Sequence, residues 1–426
     1  MTNIYAPHLD LFNLPPTQTQ VSDGVWDTIK AESNYSTGTV TFEIKGSSNQ
    51  YLNLAESELQ IRCQLVNKTT DKKVDLTTDK DVGVVNNFMS SIFNQVQVKL
   101  NNVPSENSNS YYAYRAYIEN LLNHSEEAKK TYLQNCLFVK DVAEHVDKLR
   151  ETNTAIDTRI KCFDDESTIY MCGRIHSDIF NTERYMLNSV DVSLILGRSS
   201  DSFALLAAAD QGYQIKITEA NLLLRRQELS PTLMLEHSLA LEKTNAKYPI
   251  RRVVMNNYSL PVHSSNFQIS RLHTGAVPQR LIVGFVLNTA FAGEIKQNPF
   301  NFQHFHLTSM KLKLTSRATP YSEALTFDYD KLDWVQGYNT LFQNIRRAPN
   351  GITYDEYAKG NALYAFDLSS DLIPADYFHV VRDGNLDIDL SFKKPNDIGI
   401  TMLTYMEFDS IIEITKKREV FFDYKS

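Results

Sequence analysis

The sequence has 426 residues, a formal net charge of −8 and a hydrophobic fraction of 42%. This length suggests two or three domains, and the composition is typical of a soluble globular protein. An acidic chain is poorly suited to coat nucleic acid, because non-specific binding depends on lysines and arginines that neutralise phosphates. We therefore expect no direct sequence-specific binding to nucleic acid. The most apolar window, Leu281 to Ala292, is too short to span a bilayer, so no membrane span is expected.

The cysteines and the N-terminus indicate synthesis in a reducing cytosol. The four cysteines form no Cys-x-x-Cys pair and are too few for a disulfide framework. The first residues, MTNIYAPHLDLFNLPP, lack the basic-then-apolar order of a signal peptide.

The chain begins with a polar segment, residues 1–38, in which few residues alternate in polarity. We expect an extended N-terminal arm here. Strand-like runs follow at Thr39–Lys45, Glu58–Val66 and Phe93–Leu100.

The run Phe93–Leu100 has the period of a half-buried strand. From Val96 onward every second residue is apolar, and the residues between are polar. Asn101 and Asn102 follow, and because asparagine tolerates the left-handed backbone conformation, this pair predicts a turn.

An amphipathic helix is predicted over Tyr111–Leu122, after a polar loop at residues 108–110 that offers cap residues. Arg115 and Glu119 share one face of this helix, four residues apart. The opposite face carries a single apolar stripe. The stripe consists of Tyr114, Tyr117, Ile118, Leu121 and Leu122.

The rest of the first half contains three further strand-like runs, at Thr168–Ile175, Ser189–Leu196 and Tyr213–Arg226. Ser230 followed by proline is then a typical helix start, with an N-cap residue before proline in the first turn. This helix is predicted to reach about Ala246.

The second half of the sequence repeats the order of the first. The matched segments are Leu59–Asn67 with Leu281–Asn288, Gln95–Leu100 with Ser309–Leu314, Val190–Leu194 with Leu386–Leu390, and Tyr213–Arg226 with Tyr405–Arg418. Several matches in one order favour a structural duplication. Many short strands, present twice, predict an all-β chain of two tandem jelly-roll β-sandwich domains with a few short helices in loops, at residues 39–229 and 230–426.

The sequence gives only weak evidence for a catalytic or metal-binding site. His304 and His306 alternate in a strand-like run, which would place both rings on one face. A metal site needs further ligands, and no third one stands at a recognisable spacing. Asp387 and Asp389 are predicted to share the outer face of a strand. With no catalytic motif in the sequence, we expect no enzyme activity, no cofactor and no metal.

Two segments of the first half carry a family resemblance. SSIFNQVQVKLNN at residues 90–102, followed by YAYRAYIENLLN at 112–123, resembles the first jelly roll of double jelly-roll major capsid proteins of Polinton/Maverick elements and their adintovirus relatives. The resemblance extends from about Val40 to the C-terminus. Asn101-Asn102 departs from the family, because many relatives carry Asn-Gly at this turn.

The resemblance implies a hexon-like major capsid protein of the virion. Homotrimers of such proteins form pseudo-hexagonal capsomers that contact neighbouring capsomers, together with penton and minor capsid proteins, and tile an icosahedral shell around double-stranded DNA. It also implies synthesis in a host cytoplasm and assembly there or in the nucleus.

The resemblance also implies positions in the capsid for three features of the sequence. The stripe of Tyr114, Tyr117, Ile118, Leu121 and Leu122 is an interface at the side or base of a barrel, with a counterpart helix around Tyr338–Phe342. The loops Lys68–Val82 and Phe291–Gln303 reach the outer surface or the contacts between capsomers, and the N-terminal arm runs beneath the shell. Two alternatives remain: a β-sandwich binding module such as a glycan-binding protein, and a metal-dependent β-fold enzyme.

Overall fold

The structure is a computed structural model, and its strands outnumber its helices. It describes residues 14, 17–32, 35–36, 38–76, 81–107, 110–150, 152–164, 167–209, 211–345, 349–372 and 377–423.

The first half contains ten strands and five short helices within these described ranges. The strands are β1 (Val21–Lys30), β2 (Val40–Ile44), β3 (Gln50–Asn67), β4 (Val82–Val84), β5 (Phe93–Leu100), β6 (Val103–Asn107), β7 (Thr168–Arg174), β8 (Val192–Arg198), β9 (Leu205–Ala207) and β10 (Tyr213–Leu229). The helices are α1 (Phe88–Ser91), α2 (Tyr112–Asn123), α3 (Glu126–Lys130), α4 (Thr154–Ile160) and α5 (Asp201–Ala204), with 3-10 turns at Tyr132–Cys136 and Ile179–Asn181.

The second half begins with a helix and continues with strands. The helices are α6 (Pro231–Leu241), α7 (Asn288–Phe291), α8 (Val335–Gln343) and α9 (Tyr354–Ala358), with a 3-10 turn at Tyr329–Lys331. The strands are β11 (Ala246–Leu260), β12 (Asn266–Ala276), β13 (Arg280–Leu287), β14 (Leu307–Leu314), β15 (Arg317–Ala318), β16 (Leu325–Thr326), β17 (Leu363–Asp367), β18 (Asp383–Phe392), β19 (Ile400–Ile414) and β20 (Val420–Phe422).

The two halves have the same sheet topology. The sheets of the first half run β1-β10-β3-β7 and β2-β8-β5-β6, and those of the second run β11-β19-β13-β17 and β12-β18-β14-β15. Strand by strand these orders correspond, and each is the order of a two-sheet jelly roll. The matched sequence segments lie in β3 and β13, β5 and β14, β8 and β18, and β10 and β19, so the predicted duplication and the all-β double jelly roll are confirmed. Among the described strands, none of one half pairs with a strand of the other.

Strand β1 corrects the predicted limits of the N-terminal arm. Residues 21–30 pair antiparallel with β10, from Val21 opposite Leu229 to Lys30 opposite Asn221. In the first half β1 therefore occupies the edge position that β11 occupies in the second. No side chain of β1 is buried, so its sequence lacks the alternation that marks a half-buried strand. The first jelly roll thus begins before residue 39, and residues 1–13 of the predicted arm lie outside the described ranges.

The turn after β5 has the predicted conformation. β5 has the predicted limits, and φ is 48° at Asn101 and 65° at Asn102. Left-handed backbone at both central residues is typical of a type I′ hairpin, whose twist matches that of the strands it joins. Asparagine tolerates this conformation, so Asn101-Asn102 forms the type of turn for which Asn-Gly is expected in relatives.

The two predicted helices are present with shifted ends. α2 begins at Tyr112, and the side chain of its N-cap residue, Tyr111, makes no capping hydrogen bond. α6 has the predicted start, because the Ser230 hydroxyl accepts a hydrogen bond from the Leu233 N–H at 3.4 Å. It ends at Leu241 rather than near Ala246, because Ala246 already pairs with β19 as the first residue of β11.

Candidate functional site

The predicted interface helix α2 lies at the junction of the two halves. All five residues of its apolar stripe are at most 4% exposed: Tyr114, Tyr117, Ile118, Leu121 and Leu122. We expected the stripe to be an interface at the side or base of a barrel. Burial to this degree leaves no surface for a neighbouring molecule, so the structure assigns these side chains to contacts within one chain.

Aromatic stacking joins α2 to the second half. The rings of Tyr117 and Phe300 are parallel within 5°, with centroids 4.3 Å apart. Tyr114 stacks on Phe291 at 5.8 Å and meets the edge of Phe302 at 6.4 Å. Each such pair contributes about 0.5–1.5 kcal/mol beyond the area that it buries. These contacts hold the first half against the connection from β13 to β14.

This contact also corrects the expected place of the loop Phe291–Gln303. We expected the loop to reach the outer surface or the contacts between capsomers, because it is long. Phe300 and Phe302 are instead fully buried, and Asn298 is 1% exposed. The aromatic residues of the loop fill the junction, which length and polarity alone did not reveal. Of the other loop, Lys68–Val82, residues 77–80 lie outside the described ranges, and residues 68–73 are largely exposed.

The other face of α2 carries a buried ionic cluster. The Arg115 guanidinium lies 2.9 Å from a Glu119 oxygen and 2.8 Å from Asp178 Oδ1, and it also pairs with Glu106. All four side chains are at most 10% exposed. One positive group therefore faces three carboxyl groups away from water. The sequence indicated the Arg115–Glu119 pair but gave no sign that it is buried.

Burial and pairing move the pKa values of this cluster in different directions. Burial opposes the charge on Arg115, but the facing carboxylates outweigh it and raise the pKa of Arg115. Burial also opposes the charge on Glu119, and there Arg115 and the neighbouring His176 lower the pKa of the carboxyl group. The pKa of Asp178 is raised, first by burial and then by the charge of Glu106.

Residues of the second half complete the cluster. The Val253 N–H of β11 donates to Asp178 Oδ1 at 3.2 Å. The Tyr405 hydroxyl of β19 lies 3.2 Å from Glu119 and 2.9 Å from Glu407, and its one hydrogen can be donated to either carboxylate. The cluster therefore bridges the halves, and it fixes their relative position because each bond has a defined direction.

A second set of polar contacts crosses the junction further along the chain. The Asn298 side chain donates to Asp141 Oδ2 at 3.1 Å, and Asp141 is itself paired with the buried Arg159 at 2.6 Å. The Lys129 ammonium donates to the carbonyl of Leu121 at 2.6 Å and to that of Asn350 in the second half. Burial, together with the nearby Lys140, lowers the pKa of Lys129 to about 7.

A cleft of about 1120 Å³ opens beside the ionic cluster, with walls from both halves. Arg174 and Cys172 of β7 line one side, and Arg251 of β11 lines the other. Burial and Glu58 raise the pKa of the Cys172 thiol to about 12, which keeps it protonated and poorly nucleophilic near neutral pH.

The two histidines considered as metal ligands have other partners. His304 stacks on Tyr329 with ring centroids 3.8 Å apart, and His306 Nδ1 lies 3.1 Å from Asp330. The predicted strand placement is wrong here: β14 begins at Leu307, and φ at His306 is 52°. Within the described residues, no group of three or more His, Cys, Asp or Glu side chains could hold a metal ion.

The acidic pair of β18 lies as predicted. Asp387 and Asp389 share the outer, partly exposed face of the strand, and the inner face is buried. Asp389 is paired with Lys313, and Asp387 accepts a hydrogen bond from the Arg271 N–H at 2.7 Å. Both carboxylates are thus engaged with neighbours in the same jelly roll.

No helix in the described ranges has the length and apolar character needed to cross a membrane.

Comparison with known proteins finds similarity over nearly the whole chain. No protein-family model matches it. An uncharacterized protein of Caenorhabditis elegans is 24% identical over 425 residues, which cover 96% of this chain and 99% of that protein. The similarity therefore extends across both halves.

Solved viral structures share the fold over nearly the full length. A chain of the Sputnik virophage matches with a TM-score of 0.66 and 11% identity, covering 100% of this chain and 94% of that chain. The Faustovirus major capsid protein matches with 0.55 and 9%, covering 96% and 93%. The mavirus major capsid protein matches with 0.53 and 12%, covering 99% and 95%. At such identities the likeness concerns the fold, and the fold is the double jelly roll.

Proposed function

We propose that this chain is a major capsid protein of the Polinton/Maverick and adintovirus type. Three copies form a homotrimer whose six barrels make a pseudo-hexagonal capsomer, and capsomers tile an icosahedral shell around double-stranded DNA. Penton and minor capsid proteins are further partners. The role is structural rather than enzymatic.

The observation that carries the proposal is the matched topology of the two halves. Two barrels with one strand order, fused in one chain, let a trimer present six similar units around its axis. A closed ring of this kind leaves its outer rim available for contacts with neighbouring capsomers. The full-length likeness to the mavirus and Faustovirus major capsid proteins supports the same role.

The junction of the halves supports the proposal as well. A pseudo-hexagonal ring needs a fixed angle between the two barrels of each chain. The stack of Tyr117 on Phe300 and the ionic cluster around Arg115 hold the barrels together through directional contacts. A binding module with two independently acting domains has no need of such a rigid junction.

The test is the mass and shape of the purified protein. Light scattering after size exclusion should give three times 48.7 kDa, and images of the same peak should show a hexagonal outline. Co-expression with candidate penton and minor capsid proteins should then give closed shells. A species of 48.7 kDa at every concentration, with no shells on co-expression, would contradict the proposal. If that monomer bound sugars on a glycan array, the alternative of a binding module would replace it.

A further inference from the structure

Two apolar surfaces of the chain are exposed. The first lies in the connection from β17 to β18 and is called here the 377–381 surface. It consists of Tyr377, Phe378, Val380 and Val381, which are 51%, 43%, 78% and 70% exposed. The second, called the β1 edge, consists of Val25 and Trp26, which are 54% and 47% exposed. Exposed apolar patches such as the 377–381 surface are typical of interaction sites, and β1 adds one exposed apolar side chain on each face of its strand.

The 377–381 surface is anchored to the second jelly roll. His379 Nε2 lies 3.0 Å from Asp371 Oδ1, and Nδ1 of the same ring lies 3.3 Å from Asp409 Oδ2. The ring therefore anchors the middle of the segment, and the Tyr377 hydroxyl also donates to Asp371, while Val380 and Val381 remain mostly exposed. An anchored apolar segment loses little conformational entropy when it binds a partner.

The first half contains the corresponding connection, and there a strand of the second half contacts it. The connection from β7 to β8 contacts β11: the Leu187 N–H donates to the Tyr248 hydroxyl at 3.0 Å. In the same contact, Asp178 Oδ1 accepts the hydrogen bond from Val253 of β11. β11 is the edge strand of the second half, in the position that β1 has in the first.

The duplication therefore provides this contact once within the chain, between the β7–β8 connection and β11. Among the described residues, the β17–β18 connection makes no equivalent contact with an edge strand. We infer that the 377–381 surface binds the β1 edge of a second copy of this chain. The contact between copies repeats the contact of the β7–β8 connection with β11 inside each copy. This inference rests on the proposed homotrimer and identifies the surface that holds it together.

Such a contact is compatible with a closed ring. It joins different surfaces of the two copies, so it is heterologous, and a heterologous contact makes a ring when its rotation divides a full turn. The contact inside each chain uses the corresponding elements. The same contact therefore relates each pair of neighbouring barrels in a ring of three chains, whether the two barrels belong to one chain or to two. The contact also covers β1, an edge strand whose outer side pairs with no described strand, and exposed edges otherwise invite unspecific association.

The test is cross-linking between two variants that each carry one introduced cysteine. Val25→Cys and Val381→Cys are made separately in a Cys162→Ser/Cys172→Ser background, which removes the exposed and the half-exposed native thiols and leaves the buried Cys63 and Cys136. The two are co-expressed and treated with a short bis-maleimide. We expect a covalent dimer from the mixture and none from either variant alone, because each contact joins a β1 edge to a 377–381 surface. A chain that carries both cysteines should give bands up to the trimer.

The matched control replaces Val381→Cys by Ile398→Cys. Ile398 is 58% exposed and lies in the connection from β18 to β19, at the other end of β18. It should not cross-link to Val25→Cys. In a separate measurement, the exposed double substitution Val380→Asp/Val381→Asp should weaken the trimer at least about tenfold, since apolar anchors dominate such contacts, and leave thermal unfolding of the monomer unchanged.

The outcomes separate this inference from the proposed function. A wild-type trimer without the mixed cross-link, or with the double Asp variant still trimeric, overturns the assigned surface and leaves the capsomer standing. Cross-linking of either variant with itself indicates a two-fold contact and also overturns the assignment. A cross-linked trimer that builds no shell with its partners upholds the assigned surface and contradicts the capsid role.

Discussion

Replacing Arg115 by methionine tests whether the ionic cluster holds the junction. Methionine keeps much of the side-chain volume but leaves Glu106, Glu119 and Asp178 without their cation. Removing one partner of a buried ion pair costs about 3–5 kcal/mol, because the remaining charge stays buried and unpaired. We expect the free energy of unfolding of Arg115→Met to fall by that amount at pH 7. Urea unfolding followed by tryptophan fluorescence measures it, since Trp26 and Trp334 report on the first and second halves.

The matched control is Arg62→Met. Arg62 lies 3.7 Å from Glu219, and both side chains are about half exposed. Exposed pairs contribute about 0–1 kcal/mol, so this variant should stay close to the wild type. If Arg115→Met costs no more than Arg62→Met, the cluster does not stabilise the junction and the reasoning fails.

The pH dependence of the same variant gives a second check. In the wild type the pKa of Glu119 is lowered, so its contribution to stability is present above its unfolded pKa and is lost as pH falls through the folded pKa. Without Arg115, burial is opposed only by His176, so the pKa of this carboxyl group should rise, and its protonation then removes a buried charge from the folded variant. The difference between wild type and Arg115→Met should therefore shrink between pH 7 and pH 4. A constant difference would show that the loss comes from packing alone.

Three further predictions concern other parts of the junction and the first strand. In a double-mutant cycle, Tyr117→Leu and Phe300→Leu should show a coupling of about 0.5–1.5 kcal/mol in urea unfolding, and additive effects would mean that the stack contributes nothing of its own. The folded pKa of Lys129 is about 7, below its unfolded value of 10.5, so the folded state binds fewer protons and stability should rise from pH 7 to pH 10. Lys129→Met should remove this slope, and an unchanged slope would assign it to other groups. Deletion of residues 1–30 removes β1 and should lower the thermal midpoint or abolish soluble expression, whereas deletion of residues 1–17 should leave the midpoint unchanged.

The sequence predicted those parts of the fold that short-range patterns encode. The alternation in β5 predicted the limits of that strand to the residue, and the asparagine pair after it predicted the turn. The partner strand β6 was not predicted, because its sequence VPSEN has no apolar alternation. The apolar stripe of α2 predicted the helix within one residue at each end. The order of matched segments predicted the duplication, because both halves keep the same buried strands in the same sequence order.

The sequence did not predict features that depend on contacts between distant segments. β1 was missed because no side chain of this edge strand is buried, so nothing selects an alternating pattern. The stripe of α2 showed that one face is apolar but not which surface covers it. No local pattern marks Asp178 as a partner of Arg115, because that pairing depends on the tertiary fold.

The pairing of β1 with β10 sets the order in which the chain can acquire structure during synthesis. The Ser22 hydroxyl donates to the carbonyl of Glu228, 206 positions later. β1 therefore cannot pair with β10 until almost the whole first half has left the ribosome. In the same way, β11 cannot pair with β19 until almost the whole second half has been synthesised. Contacts between such distant segments slow folding and leave strand edges open in the meantime. We expect a nascent chain of this protein to depend on chaperones for longer than a helical protein of equal length.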